Sequence, residues 1–170
     1  MIIFQRLGVA LGLLVTACGD RSKDTPGAAA PDVLAPIVAA RIPAGALKQL
    51  PWLLGTFRGT GIEGTDQAPF YERYSLADDS TLIVESFADS TLSGKIDTTR
   101  YEARRDSLSN PGSSRYIATA ISPDSIAFGP LVGVKNGFMW RKGDANDWIA
   151  VIIPTAKTAT RRTYRMVRLK

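Results

Sequence analysis

Chemistry has few places to happen in this chain. Its 170 residues include no histidine and a single cysteine, Cys18. Without an imidazole no Ser-His or Cys-His pair can form, so the hydrolase triad and its variants are closed to it. A Cys/His zinc site and an imidazole-held haem are excluded for the same reason. A lone thiol makes no intramolecular disulfide, and no run of acids has the spacing of a calcium loop. What remains are carboxylates and phenols set inside apolar, alternating segments. Five residues are candidates for ligand binding: Glu72, Tyr74, Glu85, Tyr101 and Arg115. Glu72 shares a strand face with Phe70 and Tyr74. If that face points inward, its carboxylate must be paired or hydrogen-bonded. Alternation sends Arg73 to the other side, which leaves Arg104 or Arg115 as the expected partner. Read instead as an outward-facing acid or a structural ion pair, Glu72 needs no ligand. Acid–base work with Glu85 or Glu102, or with a tyrosine, is a third reading. Separate strands set no carboxylate spacing that would support it.

Two further patterns invite chemistry. The run Gly59-Thr-Gly-Ile-Glu-Gly64 could be taken for a phosphate cradle. No helical pattern and no Gly-Lys-Ser/Thr follows it, so the donors that hold phosphate are missing. Glycines in a tightly coiled strand account for it. Near the C-terminus, Arg161, Arg162, Arg165, Arg168 and Lys170 follow Lys157 with no acid among them. Such a patch suits anionic lipid headgroups or other envelope polyanions, and read more simply it is a solvated strand face. The formal net charge is +5.

The N-terminus explains why envelope partners are considered. Arg6 precedes an eleven-residue apolar run, residues 7–17, and Cys18 follows at once. As a helix that run would rise about 16 Å, half of what a hydrocarbon core requires. It is a targeting segment by length and flanks. Val15-Thr16-Ala17-Cys18 resembles the bacterial lipobox. By that resemblance the Cys18 thiol carries a diacylglycerol and the chain is cleaved between Ala17 and Cys18, after a small residue. Multiple acyl chains then anchor the protein stably. Gly19, not aspartate, follows the cysteine, which leans toward the outer membrane over the inner one. The expected setting is the bacterial cell envelope, lipid-anchored and facing the periplasm, with no nucleic acid as partner.

The elements that must position these residues fall into three parts: a signal peptide over 1–17, a lipidated and flexible tether over 18–47, and a β-domain over 48–170. Prolines at 26, 31, 36 and 43 interrupt any long helix or central strand in the tether. A short helix is expected between Pro43 and Leu50, ending before Pro51. From there the periodicity is two. Strands are expected over 52–61, 69–75, 81–87, 98–104, 115–122, 125–129, 137–142, 148–153 and 161–169. Pro123-Asp124 is the clearest hairpin turn. Many short strands and no long helix call for an all-β antiparallel sandwich or barrel, and closure removes the edges in so small a domain. A barrel of 8–10 strands is the expectation.

Leu50-Pro-Trp-Leu-Leu-Gly-Thr-Phe-Arg-Gly59 resembles the opening of lipocalin-like (calycin) domains, in which a helical turn leads into a Gly-x-Trp/Phe strand. Tyr71-Glu-Arg-Tyr74, Asp79-Ser-Thr-Leu82, Tyr101-Glu102 and Phe128 extend the similarity to a family of small secreted bacterial domains over about 50–155. The resemblance implies that Trp52, Gly55 and Phe57 close the bottom of the barrel. Phe57 stands where tryptophan is usual, which keeps the packing and loses the indole N–H. The opening is also similar to that of haem-binding nitrobindins, whose iron is held by a histidine this chain lacks, so no cofactor is expected. The function implied is binding of a small apolar or amphipathic molecule in a barrel cavity. The alternative is a structural or interaction domain with a filled core that contacts the membrane or an envelope protein. Most of the aromatic residues are expected in the core in either case, since the fold alone specifies no activity.

Overall fold

The computed structural model describes residues 38–43, 45–62, 67–111, 116–131, 133–156 and 158–170. The expected signal segment with Ala17 and Cys18, the expected tether up to residue 37, and Arg115 lie outside the described residues.

Ten strands form a closed antiparallel barrel: β1 Gly55–Ile62, β2 Phe70–Asp78, β3 Thr81–Phe87, β4 Lys95–Arg104, β5 Ser107–Asn110, β6 Tyr116–Ser122, β7 Ser125–Pro130, β8 Asn136–Lys142, β9 Asp147–Pro154 and β10 Arg162–Arg168. Each strand pairs with its sequence neighbours, and β1 closes the ring on β10. The all-β barrel expectation is borne out, with two short 3-10 turns, Ala46–Gln49 and Pro51–Leu53, ahead of the first strand. Pro51 opens the second turn, where its missing N–H costs nothing.

The sequence expectation missed β5. Its four residues contain one apolar side chain, Leu108, and so carry no legible alternation. The turn before it was equally hard to read, because Arg105 and Asp106 both take positive φ, 48° and 63°. That is the twist a two-residue hairpin demands, met here without glycine.

Connections divide the barrel into two ends. Tight turns at 79–80, 105–106, 123–124 and 143–146 gather at the hairpin end, and the longer connections gather at the loop end. Pro123-Asp124 joins Ser122 directly opposite Ser125.

The packed chain begins upstream of residue 48, where the tether was expected to end. Ile42, Ala46, Leu47, Leu50 and Leu53 are all buried in the core cluster. The Ala40 N–H donates to the Ala118 carbonyl and the Ile42 N–H to that of Asp106, both at 2.8 Å. β5 pairs only with Tyr116 and Ile117 of β6, so the rest of β6 has an open edge on that side. The segment around Ala40 and Ile42 covers this seam, which is why it is ordered despite its prolines. Proline forbids regular ladders, not packing.

Candidate functional site

Alternation on a closed barrel makes burial easy to interpret, because an inward side chain can meet water only through the lumen. Near the hairpin end the inward residues Phe57, Leu82, Leu108, Ile126, Trp148 and Met166 are all buried to within 1%. Each such side chain contributes about 1.5–3 kcal/mol of burial. Above them Tyr74, Tyr101, Phe128 and Trp140 pack ring to ring, with Tyr74 5.6 Å and Tyr101 5.3 Å from Trp140 in edge-on contacts. Towards the loop end the inward residues Phe70, Glu72, Ser86, Thr99, Tyr116, Asn136 and Ile152 each keep partial exposure. The lower barrel is therefore solid, and towards the loop end, a region we call the cup, the described inward side chains named above keep some access to solvent.

Glu72 sits at the floor of that cup. Its register partners are Phe57 on β1 and Ser86 on β3. The Tyr74 hydroxyl donates to Glu72 Oε2 at 2.5 Å and the Ser86 hydroxyl to Oε1 at 3.4 Å. Desolvation raises the Glu72 pKa above the ordinary carboxylate value, against the pull of both hydrogen bonds. The expected cationic partners do not reach it. Arg104 lies on the outer face, ion-paired at 2.6 Å with Glu102, and Arg115 is outside the described residues. Among the described residues no lysine or arginine pairs with Glu72.

Tyr74 and Tyr101 are pushed above the normal tyrosine range, first by desolvation and then by the nearby Glu72 charge. They therefore remain protonated donors near neutrality, which removes them as general bases. Tyr101 also bonds Asn110. The rest of the cup is lightly polar. Asn136 Nδ2 donates to the Tyr116 hydroxyl at 3.2 Å, and the Tyr164 hydroxyl to Gln67 Oε1 at 2.8 Å. The Phe70 ring fills the space left by the missing side chain of Gly59, where a Cβ would come within 2.2 Å of it.

Glu85, the other candidate carboxylate, is not in the cup. It pairs across with Arg73 on the outer face, 3.6 Å away, and with Lys95 at 3.3 Å. Glu85 therefore lies apart from Glu72 and Tyr74, on the outer face of the barrel. The Arg73 guanidinium lies 5.1 Å over the Phe87 ring, which completes a surface cluster.

The basic run does not form one patch. Arg165 is bound to Asp147 on the neighbouring strand through its Nε at 2.7 Å. Arg168 points inward beneath the hairpin end, where its Nη1 donates to the Leu54 carbonyl at 2.6 Å and its Nη2 to that of Trp52 at 3.2 Å. Its guanidinium stacks 4.7 Å from the Phe57 ring. Arg161 and Arg162 are exposed at the loop end and Lys170 near the hairpin end, separated by a strand's length of about 20 Å. Sequence proximity suggested one face, and alternation plus strand length sets these charges apart.

Trp52, Gly55 and Phe57 stand together under the barrel with this arginine. Trp52 Nε1 donates to the Pro123 carbonyl at 2.8 Å, tying the second 3-10 turn to the β6–β7 hairpin. A Cβ on Gly55, whose φ is +127°, would lie 2.0 Å from Arg168 Nη1. The guanidinium thus occupies the space that glycine leaves. A separate pocket of about 240 Å³ lies at this end between Ile42–Leu47 and the turns at Asp79 and Arg105. Its acids are engaged with surface bases, Asp79 with Lys48 and Asp106 with Arg41, and none of the five candidate residues lines it.

Among the described residues no group of three or more acids or cysteines could hold a metal ion. No protein-family model, no curated protein and no solved structure matches the chain.

Proposed function

We propose that the barrel is the ligand-holding part of a lipid-anchored envelope protein and that it binds a small amphipathic molecule in the cup above Glu72. The partial exposure of inward-facing side chains around the loop end carries this reading, together with the solid layer beneath them. A cup with an apolar floor and a few convergent polar groups is how small-molecule sites are built. Phe70, Tyr116 and Ile152 would contact the apolar part of the ligand, and Glu72, Ser86 and Asn136 would orient it. The hairpin end is packed by Ile42, Ala46, Leu47, Leu50 and Leu53. Lipidation at Cys18 would hold the barrel at the membrane, facing the periplasm and on the outer membrane by the residue that follows the cysteine. Beside Glu72 the phenols of Tyr74 and Tyr101, pushed above the normal tyrosine range, would serve a ligand as protonated hydrogen-bond donors.

The test is native mass spectrometry of the full chain carrying Cys18→Ala, exported in a bacterium and purified without detergent. A stoichiometric small-molecule adduct released on denaturation supports the reading. A clean mass, with no thermal stabilisation across a panel of lipids and metabolites, would move the function to the second reading: a domain whose packed aromatic core serves only to present its outer surface to the membrane or a protein.

A further inference from the structure

We infer that the molecule held in the cup carries a positively charged head, an amine or quaternary ammonium, and that Glu72 is its counter-ion. This rests on the cup being a binding site and names what it selects. A carboxylate set into an aromatic interior is costly unless a cation or a full set of donors compensates it. Glu72 has two hydroxyl donors, and the one from Ser86 is long at 3.4 Å. No described lysine or arginine supplies the charge.

The surroundings match a cation as well as the charge does. The Phe70 and Tyr164 rings meet edge-on at 5.5 Å, and Tyr116 and Phe138 do so at 4.8 Å. Of these rings Phe70 and Tyr116 keep partial exposure, and an aromatic face that a ligand can reach attracts ammonium groups. An anionic head would meet Glu72 with no described cation beside it. Among the described residues, charged groups on inward-facing positions toward the rim are Asp97, on the same face of β4 as Tyr101, and Arg162, on the same face of β10 as Tyr164, and both are exposed. Solvent screens them more than it screens Glu72. The phenols nearest the carboxylate, Tyr74 and Tyr101, stay neutral. Glu72 is thus the charge that decides sign at the cup floor.

The experiment titrates the full chain carrying Cys18→Ala with three probes that share one tail: octyltrimethylammonium, 1-octanol and octanoate. Binding is followed by calorimetry and by the fluorescence of Trp140 and Trp148. The cation should bind about tenfold or more tighter than the alcohol, the scale of one charge-assisted contact, and octanoate should bind weakest. Glu72→Gln should erase the preference while leaving octanol binding in place. In the unmutated barrel, cation affinity should fall as pH drops and Glu72 takes up its proton, while octanol affinity stays flat. That series tests the idea even if the glutamine variant does not fold. Equal or tighter binding of octanol or octanoate, or a pH-independent cation affinity, would overturn the cationic assignment and leave the cup as a binding site. Failure of all three probes to bind would remove the cup reading and the inference with it.

Discussion

Arg168→Ala should be the most damaging single change to any charged residue of the barrel. The guanidinium makes three contacts at once: two hydrogen bonds to carbonyls of the second 3-10 turn, at 2.6 and 3.2 Å, and the stack on Phe57 at 4.7 Å. A charge-assisted bond is worth about 1.5 kcal/mol at the low end, appropriate where a partly exposed carbonyl can regain water. The stack adds about 1 kcal/mol. Hydration of the vacated space and local relaxation recover part, so a loss of about 3 kcal/mol is expected. For a barrel of this size that corresponds to a fall in Tm of about 10 °C. Urea unfolding followed by tryptophan fluorescence measures it, with Arg161→Ala as the matched control. The exposed Arg161 should change stability by under about 0.5 kcal/mol. Arg168→Lys should recover under half of the loss, since one ammonium cannot fork to two carbonyls and lie flat on a ring. If Arg168→Ala behaves like Arg161→Ala, or Arg168→Lys like the parent chain, the clasp contributes no stability and the account of the hairpin end fails.

Gly55→Ala should cost about 2 kcal/mol or more, from its φ of +127° and the collision with Arg168. Gly45→Ala, with positive φ but open space, should cost about 1 kcal/mol, and denaturant midpoints separate the two. Glu72→Gln should stabilise the protein increasingly as pH rises. The folded-state pKa of Glu72 is raised, so its contribution is fully present below the unfolded-state pKa and is lost as pH climbs through the folded one. The Tm difference between variant and parent should therefore grow from pH 4 to pH 8, and a constant difference would contradict the raised pKa. Cys18→Ala should abolish incorporation of labelled fatty acid. Undiminished incorporation in the variant would refute lipidation at that residue.

The amino-acid sequence alone determined the class of fold and what chemistry was closed. Period-two alternation in short runs punctuated by turn residues admits little besides an antiparallel sheet, because only a strand sends neighbouring side chains to opposite faces. The lack of histidine removed whole families of mechanism without any reference to shape. It also located Glu72 and Tyr74 on one face, and that face proved to be the interior. Alternation states that two faces differ, but not which strands are neighbours or which side is wet. Glu85 and Glu72 read alike until pairing put Glu85 opposite Arg73 on the outside. Arg168 read as one of a basic series until closure of β10 on β1 carried it beneath Gly55. β5 is visible only through its partners, and the segment around Ala40 is ordered because β6 has an edge to cover. Each of these outcomes depends on contacts between residues far apart in the chain. Register and closure create those contacts, and local composition does not encode them.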